Sequence, residues 1–456
     1  MHFSRATLLC VFVPMFAVCA TLSGCDAAST GGEASRPAAE LIVLTPHSSA
    51  ITNAFSVGFS RAYYARHKQA VAVHFIQRGT PQCVAYLDSA FGAAGESGSR
   101  VPDVMFGGGI VDHRYLKERG YSRKLDIAAS VKDIPETVAG LPTRDADGHW
   151  YGTGLSSFGI FYNAAACAAR GIEPPKTWAD LGDPRFAGWI GVADPNVSGS
   201  TRECLALIAQ SMGWEPGWTL ITEILANARG ISRSSSEALD GVESGILLAS
   251  FAVNFEGLRR ASRAPERFAY VNPMGATAVS PDVISVMNTR GATAIAKEFV
   301  EYVLSAEGQL IWAGNSAQNP AGEDPLFHYA IVPQVIEGEA AKLAVAENPF
   351  KTDFGIQFDL ARSERETRVL RPLIAALCEG SHISLQMAWR DAIVAGRAAR
   401  DRWPSVVVSP VKADELSTIA EKLGPIGSEA ERSLRTEWAA YFVKQLKSAQ
   451  VSGQDG

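Results

Sequence analysis

The chain has 456 residues, of which 47% are hydrophobic and 20% are charged, and its formal net charge is −6. This composition is typical of a folded globular protein, and a net negative charge without a basic patch argues against nucleic acid as a partner. About 430 residues follow the N-terminal leader described next, which predicts two or three domains rather than one hydrophobic core.

The N-terminal segment predicts a lipoprotein signal peptide. A short basic start precedes an apolar run, Ala6 to Ala20, which is shorter than the roughly 20 residues that a membrane span needs. Leu22-Ser23-Gly24-Cys25 follows and resembles a bacterial lipobox, in which the cysteine is lipidated. We therefore predict a signal peptide at 1–24, lipidation at Cys25 and a flexible Ala/Ser/Gly-rich tether at 25–39. An uncleaved anchor is the alternative.

Strands alternate with helices from residue 40 onward, which predicts an α/β fold. The first predicted elements are strand Glu40–Leu44, helix Ile51–His67, strand Val71–Ile76, helix Cys83–Phe91 and strand Val104–Phe106. Ligands of such sheets bind beyond the C-terminal ends of the strands. His47, Ser48 and Gly108 follow the first and third strands, so we predict that they lie on one rim of a binding site. Alternatively, the glycines at 107–109 only form a turn.

The segment Ser198-Gly199-Ser200-Thr201 follows a predicted strand, Trp189–Ala193, and lies at the predicted start of a helix. Free backbone N–H groups and the positive end of the helix dipole favour an anion at such a position. The hydroxyl groups add donors, and Gly199 lets an anion approach the backbone closely. The segment thus predicts an anion site, with simple N-capping by Ser198 or Ser200 as the alternative.

Three ordered blocks of sequence resemble the extracellular solute-binding proteins of ABC importers. They are similar to the branch that includes ferric-iron, phosphosugar and phosphonate binders. The blocks are Trp150–Asn163, Pro174–Gly188 and Pro281–Trp312. The resemblance covers roughly residues 40 to 330 and implies a type II periplasmic-binding-protein fold, in which two α/β lobes joined by crossing strands close on the ligand like a hinge.

The resemblance also implies the domain boundaries. Lobe 1 is expected at 40–152 and 281–330, and lobe 2 at 153–280. Residues 331–456 lie beyond the resemblance and are predicted as a mainly helical C-terminal extension. We expect this extension to pack on lobe 1. A surface for docking a partner, formed by the apolar stripe Leu434, Trp438, Phe442 and Leu446, is the alternative.

Further site residues follow from the same resemblance. The fold points polar groups from strand ends and from the crossover into the cleft, which implies ligand contacts for Ser157, Ser235 and Asn254, unless these side chains only bond their own loops. Ferric-iron binders usually present adjacent tyrosines where this chain has Phe255, so no metal site and no cofactor is predicted. Cys83, Cys167, Cys204 and Cys378 lack zinc-site spacing and allow three complete disulfide pairings or free thiols.

The sequence as a whole predicts a lipid-anchored substrate-binding protein in the periplasm or on the outer face of the cell membrane. It is expected to capture a small, anionic solute between its lobes and to deliver it to ABC permease subunits. Motifs of hydrolases, zinc proteases and nucleotide-binding enzymes are absent from the sequence, so an enzyme is not predicted. The alternatives are a sensor that presents its solute to a membrane receptor kinase and an extracytoplasmic enzyme on the same fold.

Overall fold

The computed structural model describes residues 39–92, 101–289, 291, 293–345, 347–424 and 426–452. The predicted signal peptide, Cys25 and all of the predicted tether except Ala39 lie outside these residues. Within the ranges described, no helix combines the length and hydropathy that a membrane span requires.

The described residues form eleven strands. They are β1 (Ala39–Thr45), β2 (Val71–Gln77), β3 (Val104–Phe106), β4 (Thr137–Val138), β5 (Leu141–Pro142), β6 (Tyr151–Asn163), β7 (Ile190–Ala193), β8 (Ala228–Ser232), β9 (Ala249–Val253), β10 (Phe268–Val271) and β11 (Val279–Val286). Nine of these described strands form one sheet in the order β2-β1-β3-β11-β6-β9-β7-β8, with β10 paired to β6.

Two parallel groups of strands flank an antiparallel centre. We call β2, β1 and β3 the β1 side and β9, β7 and β8 the β7 side, because β1 and β7 pair in parallel with their neighbours. In the centre, β11 pairs antiparallel with β3 and β6, and β6 pairs antiparallel with β9. β6 and β11 therefore connect the two sides, which is the predicted architecture of crossing strands. The predicted lobe boundaries themselves stay a prediction.

Helices cover the sheet and form the C-terminal region. In chain order the α-helices are α1 (Ser49–His67), α2 (Thr80–Gly92), α3 (Ile110–Glu118), α4 (Ala128–Val131), α5 (Ala164–Ala169), α6 (Trp178–Leu181), α7 (Gly199–Met212), α8 (Trp214–Asn227), α9 (Ser235–Glu243), α10 (Asn254–Arg263), α11 (Thr293–Leu304), α12 (Ala306–Ala313), α13 (Pro333–Gly338), α14 (Leu360–Ala395), α15 (Arg397–Asp401), α16 (Trp403–Val406), α17 (Leu416–Lys422) and α18 (Glu429–Ser452). Short 3₁₀ turns lie at Pro184–Phe186, Ser316–Gln318, Ala340–Lys342 and Ala413–Glu415.

The first five predicted elements are confirmed as β1, α1, β2, α2 and β3. β1 is almost fully buried at its C-terminal half, as a continuous apolar run between covered faces requires. Phe55 and Phe59 on α1 are buried in one core cluster with Leu41 and Val43 of β1. The helical nature of the C-terminal region is also confirmed, by α14 and the helices after it.

The C-terminal helices pack on a part of the molecule that we did not predict. Instead of covering the β1 side, α14 lies against α7 and α8, which follow β7. The indole N–H groups of Trp214 and Trp218 on α8 donate to the carbonyl groups of Val411 and Val407, at 2.8 and 3.0 Å. Buried indole N–H groups need such acceptors, and the C-terminal region supplies them. The predicted stripe on α18 is buried in the same core, so packing accounts for it.

The four cysteines of the described residues are free thiols. Cys83, Cys167 and Cys204 are buried, and burial raises the pKa of the Cys83 thiol to about 12 and that of Cys167 to about 11. Thiols with such pKa values carry almost no thiolate at neutral pH, so they act as small apolar side chains of the core.

The packing of the C-terminal region is tested at Trp389 on α14, which is 2% exposed. Its Nε1–H donates to Asn227 Oδ1 at 2.7 Å, and its ring lies 4.7 Å from that of Trp403. Trp389→Ala is expected to lower the free energy of unfolding by about 3–5 kcal/mol in chemical denaturation. Ile383→Ala, on the same helix but 72% exposed, is the control and should change it by less than about 0.5 kcal/mol. Equal losses would contradict this packing.

Candidate functional site

A cavity of about 570 Å³ opens where strands of both sides of the sheet reach their C-terminal ends. Residues that follow each of the six parallel-paired strands, in a loop or in the first turn of the next helix, line the cavity. One such residue for each strand, in chain order, is His47, Arg78, Gly108, Ser198, Ser235 and Phe255. Within each parallel group the C-terminal ends of the strands lie at one rim, as the general rule requires, and the rims of the two groups meet at the cavity. The cavity is therefore the candidate ligand site.

Seven of the ten predicted ligand-binding residues line this cavity. They are His47, Ser48, Gly108, Ser198, Gly199, Ser200 and Ser235. The other three, Ser157, Thr201 and Asn254, are buried behind the lining. Asn254 Oδ1 accepts from the backbone N–H of Ser157 at 3.0 Å, and Ser157 Oγ donates to Asn272 Oδ1 at 2.9 Å. These side chains hold the crossing strand β6 in place, and a ligand contact for each of the ten residues stays a prediction.

Two helix N-termini meet at the cavity. Ser198 is the N-cap of α7, and Ser200 lies in its first turn. Ser235 is the first residue of α9. Its Oγ lies 2.6 Å from Ser198 Oγ and 2.9 Å from Ser200 Oγ. Hydroxyl groups and the positive ends of two helix dipoles thus converge on one point, and both features favour an anion.

Ser198 also caps its helix, which was the alternative interpretation of this segment. Its Oγ accepts from the backbone N–H of Thr201 at 3.1 Å and donates to Thr201 Oγ1 at 2.9 Å. Capping uses one N–H of the first turn and leaves the other N–H groups there without intrahelical partners. Capping and anion binding are therefore compatible at this position.

The end of β1 presents two buried polar atoms without hydrogen-bond partners among the described residues. These atoms are His47 Nε2 and Ser48 Oγ. His47 is 4% exposed, and its burial lowers its pKa to about 3, so the imidazole is neutral at physiological pH. An unpaired buried polar atom costs free energy unless a partner arrives. Both residues line the cavity, and their contact with a ligand stays a prediction.

Asp282 on β11 lines the cavity near the crossing strands. Ser156 Oγ donates to its Oδ2 at 2.5 Å, and His328 Nδ1 lies 3.6 Å from the same oxygen. Burial raises the pKa of Asp282 to about 6, and burial keeps the pKa of His328 well below its usual value. The neutral His328 ring stacks on Phe255 with ring centroids 3.8 Å apart. At neutral pH, His328 therefore adds no positive charge beside Asp282.

Two arginines and a glutamate complete the charges near the hydroxyl cluster. Arg78 is exposed and lines the cavity, whereas Arg202 on α7 is paired with Asp112 on α3 at 3.0 Å. Burial raises the pKa of Glu203 to about 7. Because Asp112 already neutralises Arg202, the exposed guanidinium of Arg78 is the cation of this lining that is left for an anion.

The loops of the two sides touch across the cavity. A Cβ added to Gly79, in the loop after β2, would lie 2.2 Å from the carbonyl oxygen of Val197 in the loop after β7. A Cβ on Gly199 would lie 3.0 Å from Thr80 Oγ1. Only glycine permits the first of these approaches, so a larger residue at position 79 would separate the loops.

Sequence reasoning missed several lining residues. Gln77 ends β2 and Arg78 and Thr80 follow it, and the rule that predicted His47 after β1 would have found them too. Asp282 lies within a strand, where no local pattern marks a site. Among the residues that the structure describes, no group of three or more His, Cys, Asp or Glu side chains is arranged to hold a metal ion.

Comparisons with known proteins place the chain in a family. The model of the bacterial extracellular solute-binding proteins matches residues 99–343. The phosphoglycerate transport regulatory protein PgtC of Salmonella typhimurium is 29% identical over 213 residues, which are 45% of this chain and 50% of PgtC. The chain thus matches about half the length of this curated relative.

Two solved structures show the same fold. The periplasmic binding protein AfuA of Actinobacillus pleuropneumoniae, with fructose-6-phosphate bound, has a TM-score of 0.54 at 17% identity and covers 64% of this chain and 85% of its own. The substrate-binding protein of an ABC transporter from Agrobacterium tumefaciens has a TM-score of 0.56 at 18% identity and covers 74% and 94%. With the match over more than half of its length, the chain belongs to the bacterial extracellular solute-binding proteins.

Proposed function

We propose that this protein binds a small anionic solute in the cavity and delivers it to the permease of an ABC importer. The observation that carries this proposal is the convergence of two helix N-termini, α7 and α9, with the hydroxyl groups of Ser198, Ser200 and Ser235 at one point of the cavity. Such a cluster binds an anion without a full counter-charge, because N–H and O–H donors replace the hydration shell.

The relatives support an anionic, phosphorylated ligand class. PgtC is named for phosphoglycerate transport, and the AfuA structure contains fructose-6-phosphate. In this chain, Arg78 is positively charged and His47 is neutral. Neither side chain therefore repels an anion at the hydroxyl cluster. Phe255 lines the cavity where a metal-ligating tyrosine would serve an iron binder, which favours an organic anion over free ferric iron.

The proposal includes the location of the protein. Its family is extracellular, and the lipobox-like sequence ending at Cys25 would attach it to the outer face of the cell membrane or to a periplasmic membrane surface. A diacylglyceryl anchor followed by a flexible tether raises the effective concentration of the binding protein at a permease. Closure of the cavity on the solute would be the signal that the permease recognises.

A second candidate function is a sensor that presents its solute to a membrane receptor kinase. The relative PgtC favours it, because that protein is named as a regulator of transport. Deletion of the gene separates the two functions. Loss of solute uptake supports the importer, whereas intact basal transport with loss of a solute-dependent response supports the sensor.

A ligand panel tests the anion proposal. Fructose 6-phosphate, phosphoglycerate and inorganic phosphate are compared with fructose and glycerol by thermal shift. We expect only the anionic compounds to raise the Tm, because binding to the native state stabilises it by about 2.7 kcal/mol at a ligand concentration of 100 Kd. A rise in Tm with the neutral compounds alone would contradict the proposal. Recovery of the bound compound unchanged excludes turnover.

The same assay with two serine variants locates the site. Ser235→Ala removes a hydroxyl that contacts only the cluster in the described structure and is expected to weaken binding about ten- to hundredfold, the loss of a hydrogen bond to a charged group. Ser211→Ala is the matched control, because Ser211 is exposed at the other end of α7. Equal affinities for the two variants would place the anion elsewhere.

Anion affinity should depend on pH through Glu203. With its pKa raised to about 7 by burial, Glu203 is neutral below that pH and negative above it. An anion bound nearby favours the neutral form, so affinity should fall as the pH rises through about 7. If the anion raises the pKa of Glu203 by about one further unit, the fall is about tenfold. The reference is Glu203→Gln, whose side chain cannot ionise. The ratio of the two affinities at each pH cancels the titration of the ligand itself. A constant affinity ratio between wild type and variant would refute this dependence.

The membrane anchor is tested at Cys25. In the native host the wild-type protein should fractionate with membranes and incorporate labelled palmitate, and Cys25→Ser should abolish the labelling and release the protein from the membrane fraction, because a thioether to lipid cannot form. The solute affinity of the released protein should be unchanged. Membrane association of Cys25→Ser at the wild-type level would contradict lipidation at this residue.

A further inference from the structure

The loop that carries Ser198 is held from outside the cavity. Residues 194–198 connect β7 to α7, and Asn196 lies at their centre. Both the backbone N–H and the side-chain Nδ2 of Asn196 donate to Asp194 Oδ1, at 2.8 and 2.6 Å. Its Oδ1 accepts from Arg371 Nη1 on α14 at 2.8 Å. Because arginine only donates hydrogen bonds, this contact fixes the orientation of the Asn196 amide.

Arg371 is itself held by the last helix. It is 7% exposed, and its Nη2 donates to Glu431 Oε2 on α18 at 2.5 Å, where Glu431 is 5% exposed. Glu431 Oε2 also accepts from the backbone N–H of Gly427 at 3.3 Å. A buried ion pair of this kind adds little net stability, because desolvation offsets the attraction, but it fixes the position of both side chains. Glu431, Arg371 and Asn196 therefore form a continuous link from α18 to the loop.

The position of the loop decides the geometry of the hydroxyl cluster. The backbone N–H groups of Val197 and Ser198 donate to the carbonyl oxygen of Asp194 at 3.0 and 2.9 Å, so the turn moves as one piece with Asn196. Ser198 Oγ lies 2.6 Å from Ser235 Oγ. A shift of the turn by about 1 Å would separate these hydroxyl groups beyond hydrogen-bond distance.

We propose that Arg371 is a positioning residue of the solute site. It holds Asn196 so that the turn presents Ser198 and the start of α7 to the solute. The identity of the bound group as an anion rests on the proposed function. Arg371 and Glu431 lie beyond residues 99–343, which match the family model. The C-terminal helices of this chain thus take part in shaping its binding site, in addition to covering α7 and α8.

Two variants break the link at different points. Asn196→Ala removes the contact with Arg371 together with the hydrogen bond from Asn196 Nδ2 to Asp194, and it leaves the buried ion pair intact. The double variant Arg371→Met, Glu431→Gln removes the ion pair without leaving a buried unpaired charge. The matched control, called Arg362→Met below, combines Arg362→Met with Glu366→Gln, because buried Glu366 pairs with Arg362 at 2.6 Å. Arg362 also ties α14 to α7 but at the far end of α7, through the carbonyl oxygen of Ala209 at 2.9 Å.

Two measurements separate loop positioning from ligand identity. Hydrogen exchange of the Val197 and Ser198 amides, without ligand, should accelerate about tenfold or more in both link variants and stay unchanged in Arg362→Met. Affinity for inorganic phosphate, by calorimetry, should fall about tenfold in each link variant. Combining Asn196→Ala with the double variant should give no further loss, because all three substitutions break one link.

The outcomes are distinct. Unchanged exchange of these amides in the link variants, losses that add when the variants are combined, or an equal loss in Arg362→Met would overturn the positioning role. Accelerated exchange together with a wild-type protein that binds no phosphate and no phosphorylated compound would support the positioning of the loop and overturn the anion proposal instead.

Discussion

The antiparallel pairing of β6 with β11 is the constraint on which the rest of the structure depends. These two strands connect the parallel groups of the sheet, and the cavity lies where the loops of both groups meet. β6 is buried along almost its whole length, and it allows neighbours to approach closely, since a Cβ on Gly159 would lie 2.2 Å from the carbonyl oxygen of Val271. Ser156 of β6 and Asp282 of β11 line the cavity themselves, and the segments after the parallel strands supply most of the rest of the lining.

The sequence predicted the parts of the fold that follow from local pattern. β1, β2 and β3 are short apolar runs bounded by turn residues, and Ser198 begins a helix because its hydroxyl caps it. The same local logic did not reveal that the side chains of Thr201 and Asn254 are buried behind the lining. Both lie next to lining residues, but the side chains of a helix start and a strand end alternate between cavity and core, and only the tertiary structure decides which way each one faces. The raised pKa of Asp282 depends on its burial, which no local sequence pattern reveals.

The predicted packing partner of the helical C-terminal region was wrong for a different reason. Its apolar stripe on α18 was correctly identified as a packing surface, yet the partner of a helix face is not encoded in the helix itself. The partner is set by α8, whose Trp214 and Trp218 need acceptors for their indole N–H groups and find them at Val411 and Val407. These two hydrogen bonds join residues that are 197 and 189 positions apart in the sequence. The periodicity of apolar residues carries no information over that distance.

The C-terminal helices are attached mainly to α7 and α8, and their contacts with the β1 side are much weaker. Toward the β1 side, α14 offers Glu364, which pairs with Arg114 on α3 at 2.9 Å, but both side chains are more than 30% exposed and such a surface pair is worth about 0–1 kcal/mol. A second cavity of about 670 Å³ separates the remaining surfaces of α2 and α3 from α14 and α17. An added layer that packs firmly on one side and weakly on the other can stiffen a ligand loop without locking the two sides together. That asymmetry is what a binding protein with an extra helical region requires, because the solute must still be able to enter and leave.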